Sequence, residues 1–530
     1  MGRRVSIVGV ALLLAGLLSC RGGAVAADDP PAPPTTPELP TPAASRVAPL
    51  ELPPIPDEDI SAADLHRRAV VVDLHADTLW QLWKKTTPGE APELPLQASP
   101  DRLRAGGVDA QLYPIFVWPQ SASPRDVMFQ TLEVWRRDLL AGYPDVEIAR
   151  SAEDVLRLAG EGRPAALLAI EGAKGLVANP EEVEEFIDAG LTYLSLTWNE
   201  SNGFADGVKE QQHGGATAAG LALVSRLDEA RVLPDISHAS VDTFWDVLTT
   251  ATRPVIASHS NARAVTDHPR NLDDTQLWAI ADVGGVVGIN FHARFLSEGD
   301  AGADLSDLSA HVAHLRAVMG PGHVALGSDF DGRIVEPEGL PDASTASLAV
   351  TEALLADGLR PGEVAGILGH DFLGVLHETK RGTARTPLRH RPASILEVTG
   401  TGGDERLGWL RDRYTTTAWA APVNKDAIGA SVTLRVAGPG VDRISLAADG
   451  PDQPSSVTRV RISVRAPAEQ FDHTVEVGLG EGPRPTRVEL PHTECFEGLI
   501  VEVEILAIDG SDAPAALAEV LPERRAADCP

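Results

Sequence analysis

The sequence is poor in positive charge, in cysteine and in long apolar runs. Its 45 Lys and Arg residues stand against 76 Asp and Glu residues, so the net charge is −31. This excess of negative charge disfavours nucleic acid and anionic membrane surfaces as general partners. After the N-terminal region, no apolar run has the length of a transmembrane helix. The 530 residues suffice for two or three domains with a large core.

Residues 1–19 have the pattern of a targeting signal. Arg3 and Arg4 precede an apolar stretch, Val8 to Leu18, that is too short to span a bilayer comfortably. The following Leu-Leu-Ser-Cys ends at Cys20 and resembles the lipobox of bacterial lipoproteins, in which the cysteine is lipidated. We therefore expect a lipid anchor at Cys20 and export to the bacterial cell envelope, periplasmic or outer surface. An ordinary signal peptide with an incidental cysteine is the alternative.

Residues 20–58 predict an extended, disordered tether, because Asp28 to Pro56 is rich in proline and has few large apolar residues. Ordered structure is expected from about Ile60. Export places the chain in an oxidising compartment. Cys495 and Cys529 then either pair or remain free thiols, and both alternatives stay open.

A run of β-branched residues marks the first strand, in the stretch Ala69 to Asp77. Its lack of alternation predicts a parallel strand that is buried on both faces in an α/β fold. Successive side chains of a strand point to opposite faces, so His75 and Asp77 share one face. An imidazole and a carboxylate at the end of a strand can bind a divalent metal. Alone, this pair is weak evidence.

Seven further strand-like runs alternate with helical patterns, which predicts parallel β-α units. We favour a closed (β/α)8 TIM barrel over residues 59–385, with an open doubly wound sheet as the alternative. The count is eight, and polar residues follow the strands at the end where barrels carry their active sites. The seven further runs are residues 108–117, 165–170, 191–197, 232–237, 254–258, 285–290 and 324–328.

Helix starts are marked by capping residues. Ser151 and Ser240 are of the type preferred at N-caps, and Asn179 precedes a proline and two acids. A further helix is predicted over residues 218–230.

Helical periodicity fades after residue 385. A linker is predicted over residues 386–410, followed by a small all-β, sandwich-like domain over residues 411–530. No cluster of catalytic residue types occurs there, so a structural or docking role is expected. The predicted strands are residues 431–436, 457–464, 474–478, 487–490 and 499–505.

Polar residues that follow five different strands should converge on one mouth of the barrel: His75, Asp77, Glu171, His238, His259 and Asp329. This set exceeds what one zinc ion needs, so two metals are expected, with Glu171 as a bridge and a bridging water as the nucleophile. Nitrogen and oxygen ligands favour zinc, with manganese or iron as alternatives. The motifs H-E-x-x-H, G-x-S-x-G and the P-loop are absent. A glycosidase using Glu171 and Asp329 would leave three histidines unexplained.

From about Leu65 to Lys380, the chain resembles the membrane dipeptidase (renal dipeptidase) family of metallohydrolases. The segments that carry the resemblance are 73–77 (DLHAD), 169–172 (AIEG), 235–238 (DISH), 257–260 (ASHS), 268–272 (HPRNL) and 327–332 (GSDFDG). The resemblance implies two zinc ions. His75 and Asp77 would bind one ion, His238 and His259 the other, and Glu171 both.

The resemblance also implies that Arg270 binds the terminal carboxylate of the substrate and that Asp329 handles protons, with Asp331 as the weaker candidate. Many family members carry a histidine where this chain has Trp198. Trp198, Asn199 and Asn290 are expected to contact the substrate. His213, in a glycine-rich loop, is a candidate replacement for the missing histidine, and an exposed loop histidine is the equal alternative.

We therefore expect a lipid-anchored zinc dipeptidase acting on dipeptides with a free C-terminal carboxylate. The alternatives are a related amidohydrolase acting on N-acyl amino acids and a non-catalytic surface binding protein. The oligomeric state is open, with a homodimer among the options.

Overall fold

The computed structural model describes residues 48–56, 60–298 and 302–388, together with β-strands beyond residue 389. The signal sequence, Cys20, Cys495 and Cys529 lie outside the described residues. Among the helices that are described, none combines the length and the apolarity needed to cross a membrane.

Eight parallel strand positions form a closed ring, which confirms the predicted (β/α)8 fold. Seven positions are regular strands. The sixth is held by single bridges, from Ile256 to Asp235 and from Ala257 to Val287, and these bridges close the ring. The regular strands are Val72–Asp73, Ala110–Phe116, Ala165–Glu171, Leu191–Ser195, Leu233–Asp235, Val287–Ile289 and Val324–Leu326, with the unpredicted strand Glu147–Ile148 pairing beside the third.

Helices connect the strands, and two of the three predicted capping residues cap their helices. The side chains of Ser151 and Ser240 accept hydrogen bonds from the third residue of their helices. Asn179 makes no such bond, and a 3-10 turn leads into the helix instead. The helices are Ala62–Arg68, Thr78–Thr86, Pro100–Gly106, Pro124–Val134, Ala152–Gly160, Val183–Asp188, Ala218–Ala230, Val241–Thr250, Asp274–Asp282, Ala293–Leu296, Leu305–Met319, Ala346–Ala356, Pro361–Ala365 and Asp371–Arg381, with π turns at Trp135–Leu139 and Gly366–His370.

The strands bury side chains on both faces, as their continuous apolar runs predict. Alternate residues belong to two apolar clusters: Val72 and Leu112 to one, Val71 and Ile115 to the other. The irregular sixth position passes close to its neighbour. A Cβ added at Gly288 would lie 2.1 Å from the Ser258 carbonyl oxygen. Glycine is required there, because a side chain would push the sixth position out of the ring.

The prediction of a disordered tether does not hold for residues 48–56. Leu50 and Leu52 pack against one apolar cluster of the barrel, and Ile55 packs against the other. The Ala48 carbonyl oxygen also lies 2.9 Å from Nε2 of His377. Burial of these large apolar side chains stabilises the packed conformation, although the flanking prolines favour an extended chain.

Beyond residue 389 the strands pair antiparallel, as predicted. Val460, Ile462 and Val464 are buried, with less buried residues between them, so one face of that strand is apolar. Two strands lie inside the predicted linker, because hydrogen bonds to partner strands order a segment of weak pattern. One sheet has the order Ser394–Gly400, Ser431–Ala437, Leu499–Ile508, Val457–Ala466, Phe471–Gly478; a second has Thr486–Glu489, Arg443–Ala447, Glu519–Arg525, His390–Pro392; Trp419–Ala420 pairs with Ala516–Leu517.

Candidate active site

A pocket of about 280 Å³ is lined by residues that follow the barrel strands. Three carboxylates line it, those of Asp77, Glu171 and Asp329. An aromatic group adjoins them, made of Trp80, Phe116, Trp118 and Trp198. We call five basic side chains of the lining the basic wall: Lys209, His268, Arg270, His292 and Arg294.

The hydrogen bonds of His75 determine which ring nitrogen carries its proton. The Tyr193 hydroxyl donates to the Leu74 carbonyl at 3.2 Å, so it accepts from Nδ1 of His75 at 2.8 Å. In the neutral ring, Nε2 is then an electron-pair acceptor. This Nε2 is buried and has no hydrogen-bond partner among the described residues.

Two further histidines are held in the same tautomer. Nδ1 of His238 donates to Oδ1 of Asn199 at 2.9 Å. The Ser258 hydroxyl donates to Asp235 at 2.7 Å, so it accepts from Nδ1 of His259 at 2.9 Å. Nε2 of each ring therefore also presents a lone pair.

The three lone pairs converge on one oxygen of Glu171. Its Oε1 lies 2.9 Å from Nε2 of His238, 3.4 Å from that of His259 and 3.8 Å from that of His75. Burial lowers the pKa of His75 to about 3 and holds the pKa values of the other two rings well below their usual range. The rings are therefore neutral at pH 7. Four electron-pair acceptors in this space require a cation among them.

The carboxylates reinforce this requirement. Burial, together with the Asp329 and Asp331 carboxylates, raises the pKa of Asp77 well above its usual value, and Oδ1 of Asp77 has no hydrogen-bond partner in the described part of the chain. Burial and the neighbouring Asp77 and Asp329 also raise the pKa of Glu171. Burial raises the pKa of Asp329 to about 7, although Asn290 donates to its Oδ2 at 3.0 Å.

Two sets of donor atoms are compact enough to bind a metal ion. One donor atom from each of His75, Glu171 and His259 lies within 4.8 Å of the others, and the same holds for His75, Asp77 and Asp329. All five predicted ligands meet here, and Asp329 is an additional candidate. Nitrogen and oxygen donors without a thiolate fit zinc or another divalent transition metal.

Backbone geometry leaves room beside these donors. A Cβ at Gly332 would lie 2.4 Å from Oδ1 of Asp329 and 2.6 Å from Oδ2 of Asp77. His238 and Asp329 have φ values of 69° and 64°, which are uncommon for residues other than glycine. The Asp329 amide donates to the His75 carbonyl at 3.0 Å, so contacts between neighbouring strand ends support this conformation.

Arg270 is buried next to the donors and has no ion-pair partner among the described residues. One Nη donates to the His259 carbonyl at 3.3 Å, and Nε has no partner. Burial lowers its pKa to about 10, so it is charged at neutral pH. Asp267 pairs instead with Arg263 at 3.4 Å, and Asp273 caps the following helix. A buried, uncompensated guanidinium of this kind suits a ligand carboxylate.

Two of the predicted substrate-binding residues lie outside the pocket lining, and a third uses its side chain to hold a histidine. Asn199 lines the pocket but uses its side-chain oxygen to orient His238. Asn290 is fully buried and holds Asp329, so it acts behind the pocket. His213 does not line the pocket, and Nε2 of its ring lies 2.9 Å from the Asn202 carbonyl oxygen. Trp198 lies in the lining, with its ring 5.7 Å from that of His238.

Residues that orient the ligands were missed in the sequence. Tyr193 and Ser258 hold histidine rings, yet each stands in a run of residues whose sequence pattern predicts only a strand. Two aspartates form a repeated device that we call the Asp–Ser clamps. Asp73 accepts from the amide and hydroxyl of Ser328, and Asp235 does the same with Ser258. The available signal was that the four clamp residues stand next to or near predicted site residues, in segments that carry the family resemblance.

Comparisons with known proteins agree with this geometry. Residues 60–390 match the family described as membrane dipeptidase (peptidase family M19). A protein named dipeptidase aclJ, from Aspergillus oryzae, is 32% identical over 294 residues, which covers 53% of this chain and 69% of that protein. An uncharacterized protein in the pqqA 5′ region of Klebsiella pneumoniae is 37% identical over 230 residues, 42% of this chain and 84% of its own length.

A solved structure has the same fold. It is a metallopeptidase from Rhodobacter sphaeroides, liganded with a phosphinate mimic of the dipeptide L-Ala-D-Ala. It is 25% identical, with a TM-score of 0.54, and the match covers 59% of this chain and 99% of that one.

A barrel with histidines and carboxylates at its strand ends defines a metal-dependent hydrolase. The chain belongs to the membrane dipeptidase family, peptidase family M19. It is a metallopeptidase that hydrolyses the peptide bond of dipeptides, as expected from the sequence. The glycosidase alternative is thereby set aside.

Proposed function

We propose that this dipeptidase uses two zinc ions per chain, held by His75, Asp77, Glu171, His238 and His259. The convergence of three Nε2 lone pairs on one oxygen of Glu171 carries the proposal. A single proton between Glu171 and His238 would relieve only one of these contacts. Divalent cations relieve all of them, and the donor set favours zinc.

The proposed substrates are dipeptides with a free C-terminal carboxylate. The planar guanidinium of Arg270 can bind a carboxylate through two parallel hydrogen bonds, and no carboxylate of the described chain occupies it. A pocket of about 280 Å³ suits a ligand of dipeptide size better than a long peptide.

When bound, zinc lowers the pKa of a water molecule and polarises a carbonyl group. The residues of the chain supply the rest. Asp329, oriented by Asn290, is proposed to accept a proton and to release it at the amide nitrogen of the leaving group. The aromatic group limits access of water to the scissile bond, and Trp198 stands beside His238 on that side.

Metal content and a small substrate panel test the proposal. Purified, metal-replete protein should contain about two zinc ions per chain and hydrolyse Ala-Ala, with little activity on Ala-Ala amide. One ion or none would contradict the two-metal assignment. Activity on N-acetylalanine but not on Ala-Ala would indicate the amidohydrolase alternative, and no turnover of any substrate would indicate a binding protein.

We further propose that the chain is lipid-anchored at Cys20 in the bacterial cell envelope. Support comes from the N-terminal sequence alone, which resembles a lipobox. Cys20→Ser should abolish incorporation of labelled fatty acid and release the protein from the membrane fraction, whereas Ser19→Ala should do neither. A wild-type chain without lipid in the soluble fraction of its host would contradict the proposal.

A further inference from the structure

We propose that the preferred dipeptides carry a second negative charge, on the side chain of their C-terminal residue. This inference rests on the proposed dipeptidase function and concerns the basic wall. Lys209 and Arg294 stand in the pocket lining together with Arg270. Within the described residues none of these three cations has an ion-pair partner, and the only carboxylates of the lining are those of Asp77, Glu171 and Asp329.

These three cations share one pocket lining, although the chain has 76 acidic residues and only 45 basic ones. Two other cations near the pocket are paired with acids. Arg333, which also lines the pocket, pairs with Glu93, and Lys174 lies 3.3 Å from Glu200. The basic wall therefore keeps its positive charge although carboxylates are abundant on the rest of the chain. A wall of this kind attracts anionic groups of a ligand.

Three members of the basic wall pack around one aromatic ring, that of Phe295. Phe295 stacks against the rings of His268 and His292, with centroid distances of 4.4 and 4.5 Å, and the Arg270 guanidinium lies 5.7 Å from the Phe295 ring. Arg294 precedes Phe295 in the same short helix. A ligand group bound at Arg270 is therefore next to the rest of the basic wall.

Nearby cations lower the pKa values of the two histidines of the basic wall. Burial, and then the charges of Arg270 and Lys209, lower the pKa of His268 to about 4. Burial, and then the charge of Arg294, lower the pKa of His292 to about 4. Both rings are neutral at pH 7, so Lys209, Arg270 and Arg294 supply the positive charge of the basic wall. Three cations exceed what one α-carboxylate requires.

The geometry assigns the second charge to the C-terminal residue. Its α-carboxylate sits at Arg270, so its side chain starts beside the basic wall. In this orientation the N-terminal residue would extend across the candidate metal donors, toward the aromatic group. An Asp or Glu side chain in the C-terminal position would meet Lys209 and Arg294, both of which are exposed. The same acid in the N-terminal position would not.

The test compares acids with their uncharged analogues. For the wild type, kcat/KM for Ala-Asp should exceed that for Ala-Asn by about three- to thirtyfold, the range expected for two solvent-accessible ion pairs. The preference should shrink with added salt. Asp-Ala should show no advantage over Asn-Ala. The double variant Lys209→Met/Arg294→Gln should lose most of the preference.

Lys85→Met/Arg68→Gln is the matched control, because both residues are exposed and lie outside the pocket lining. It removes the same charges and should keep the preference. Hydrolysis of all four dipeptides without preference for Ala-Asp would overturn this inference and leave the proposed function standing. Failure to hydrolyse any of them would overturn both. A preference that survives in the pocket variant would also overturn it.

Discussion

Charged side chains are buried in two settings in this barrel, in the pocket lining and outside it. In the pocket, Asp77, Glu171 and Asp329 accept few hydrogen bonds, and burial raises the pKa of each. Outside the lining, Asp206 accepts hydrogen bonds from the Ser201 hydroxyl and from the amides of Gln212, His213, Gly214 and Gly215. Although burial opposes it, these bonds hold the pKa of Asp206 below its usual range.

The difference separates structural from functional carboxylates. A carboxylate saturated by hydrogen bonds needs no ligand, whereas a buried carboxylate without donors needs a cation. Asp329 and Asp331, which are two residues apart in the chain, illustrate this difference. Asp331 accepts from the Thr78 hydroxyl and the amides of Gln97 and Ala98 at 2.6–3.2 Å, so it is structural. Asp329 accepts one such bond, from Asn290.

Among the substitutions predicted here, Glu171→Gln should impair the pocket most. We expect kcat/KM to fall by more than about a hundredfold, because even residues behind metal ligands contribute ten- to hundredfold. Zinc content should fall with it, as measured by elemental analysis. In chelator-treated protein the same change should not lower the thermal unfolding temperature, because it removes a buried charge. Retention of both ions with near-normal turnover would exclude Glu171 as the bridge.

Arg270→Ala removes the buried, unpaired cation of the pocket. We expect a loss of about ten- to a few-hundredfold in kcat/KM for dipeptides, since charge-assisted hydrogen bonds contribute about 1.5–3 kcal/mol. Turnover of the C-terminal amide should change much less. Arg270→Lys should recover part of the loss, because lysine lacks the two-point geometry. An unchanged ratio of acid to amide would contradict the carboxylate assignment.

The two Asp–Ser clamps give a matched pair of positioning variants. Ser258→Ala removes the acceptor of Nδ1 of His259 and should weaken zinc binding by about ten- to hundredfold. Ser328→Ala breaks the equivalent hydroxyl bond to Asp73, but that hydroxyl lies near a carbonyl and not near a ring nitrogen. Ser328→Ala should therefore lower the stability of the fold without changing the zinc affinity. Equal zinc affinities in a chelator competition would show that the clamps act only on the fold.

Asp206→Asn should have the smallest effect on kcat/KM of these changes and a clear effect on stability. Loss of several hydrogen bonds to a buried carboxylate should lower the free energy of unfolding by about 1–3 kcal/mol. The folded-state pKa lies below the unfolded value, so this stabilisation is present above about pH 4 and is lost as the pH falls. Urea unfolding from about pH 6 to pH 3 should therefore show a shallower acid loss in the variant.

Much of the barrel and its donor set could be predicted because both depend on local pattern. A strand buried on both faces must be apolar throughout, and parallel strands end at the same edge. His75, Glu171, His238 and Asp329 follow such strands, so their convergence was predictable. Residues 48–56 were mispredicted because Leu50, between prolines, gives no periodic signal.

The sequence by itself determined the barrel of eight strand positions, the family and which polar side chains meet at the strand ends, since chain order, motifs and hydrophobic pattern encode them. Only the tertiary structure decided which polar side chains have all their hydrogen-bond partners. Tyr193, Asn199 and Ser258 set the histidine tautomers, His213 lies outside the pocket, and Arg270 has no acid partner. Hydrogen bonds and ion pairs join residues far apart in the chain, and their partners appear only once the strands are packed.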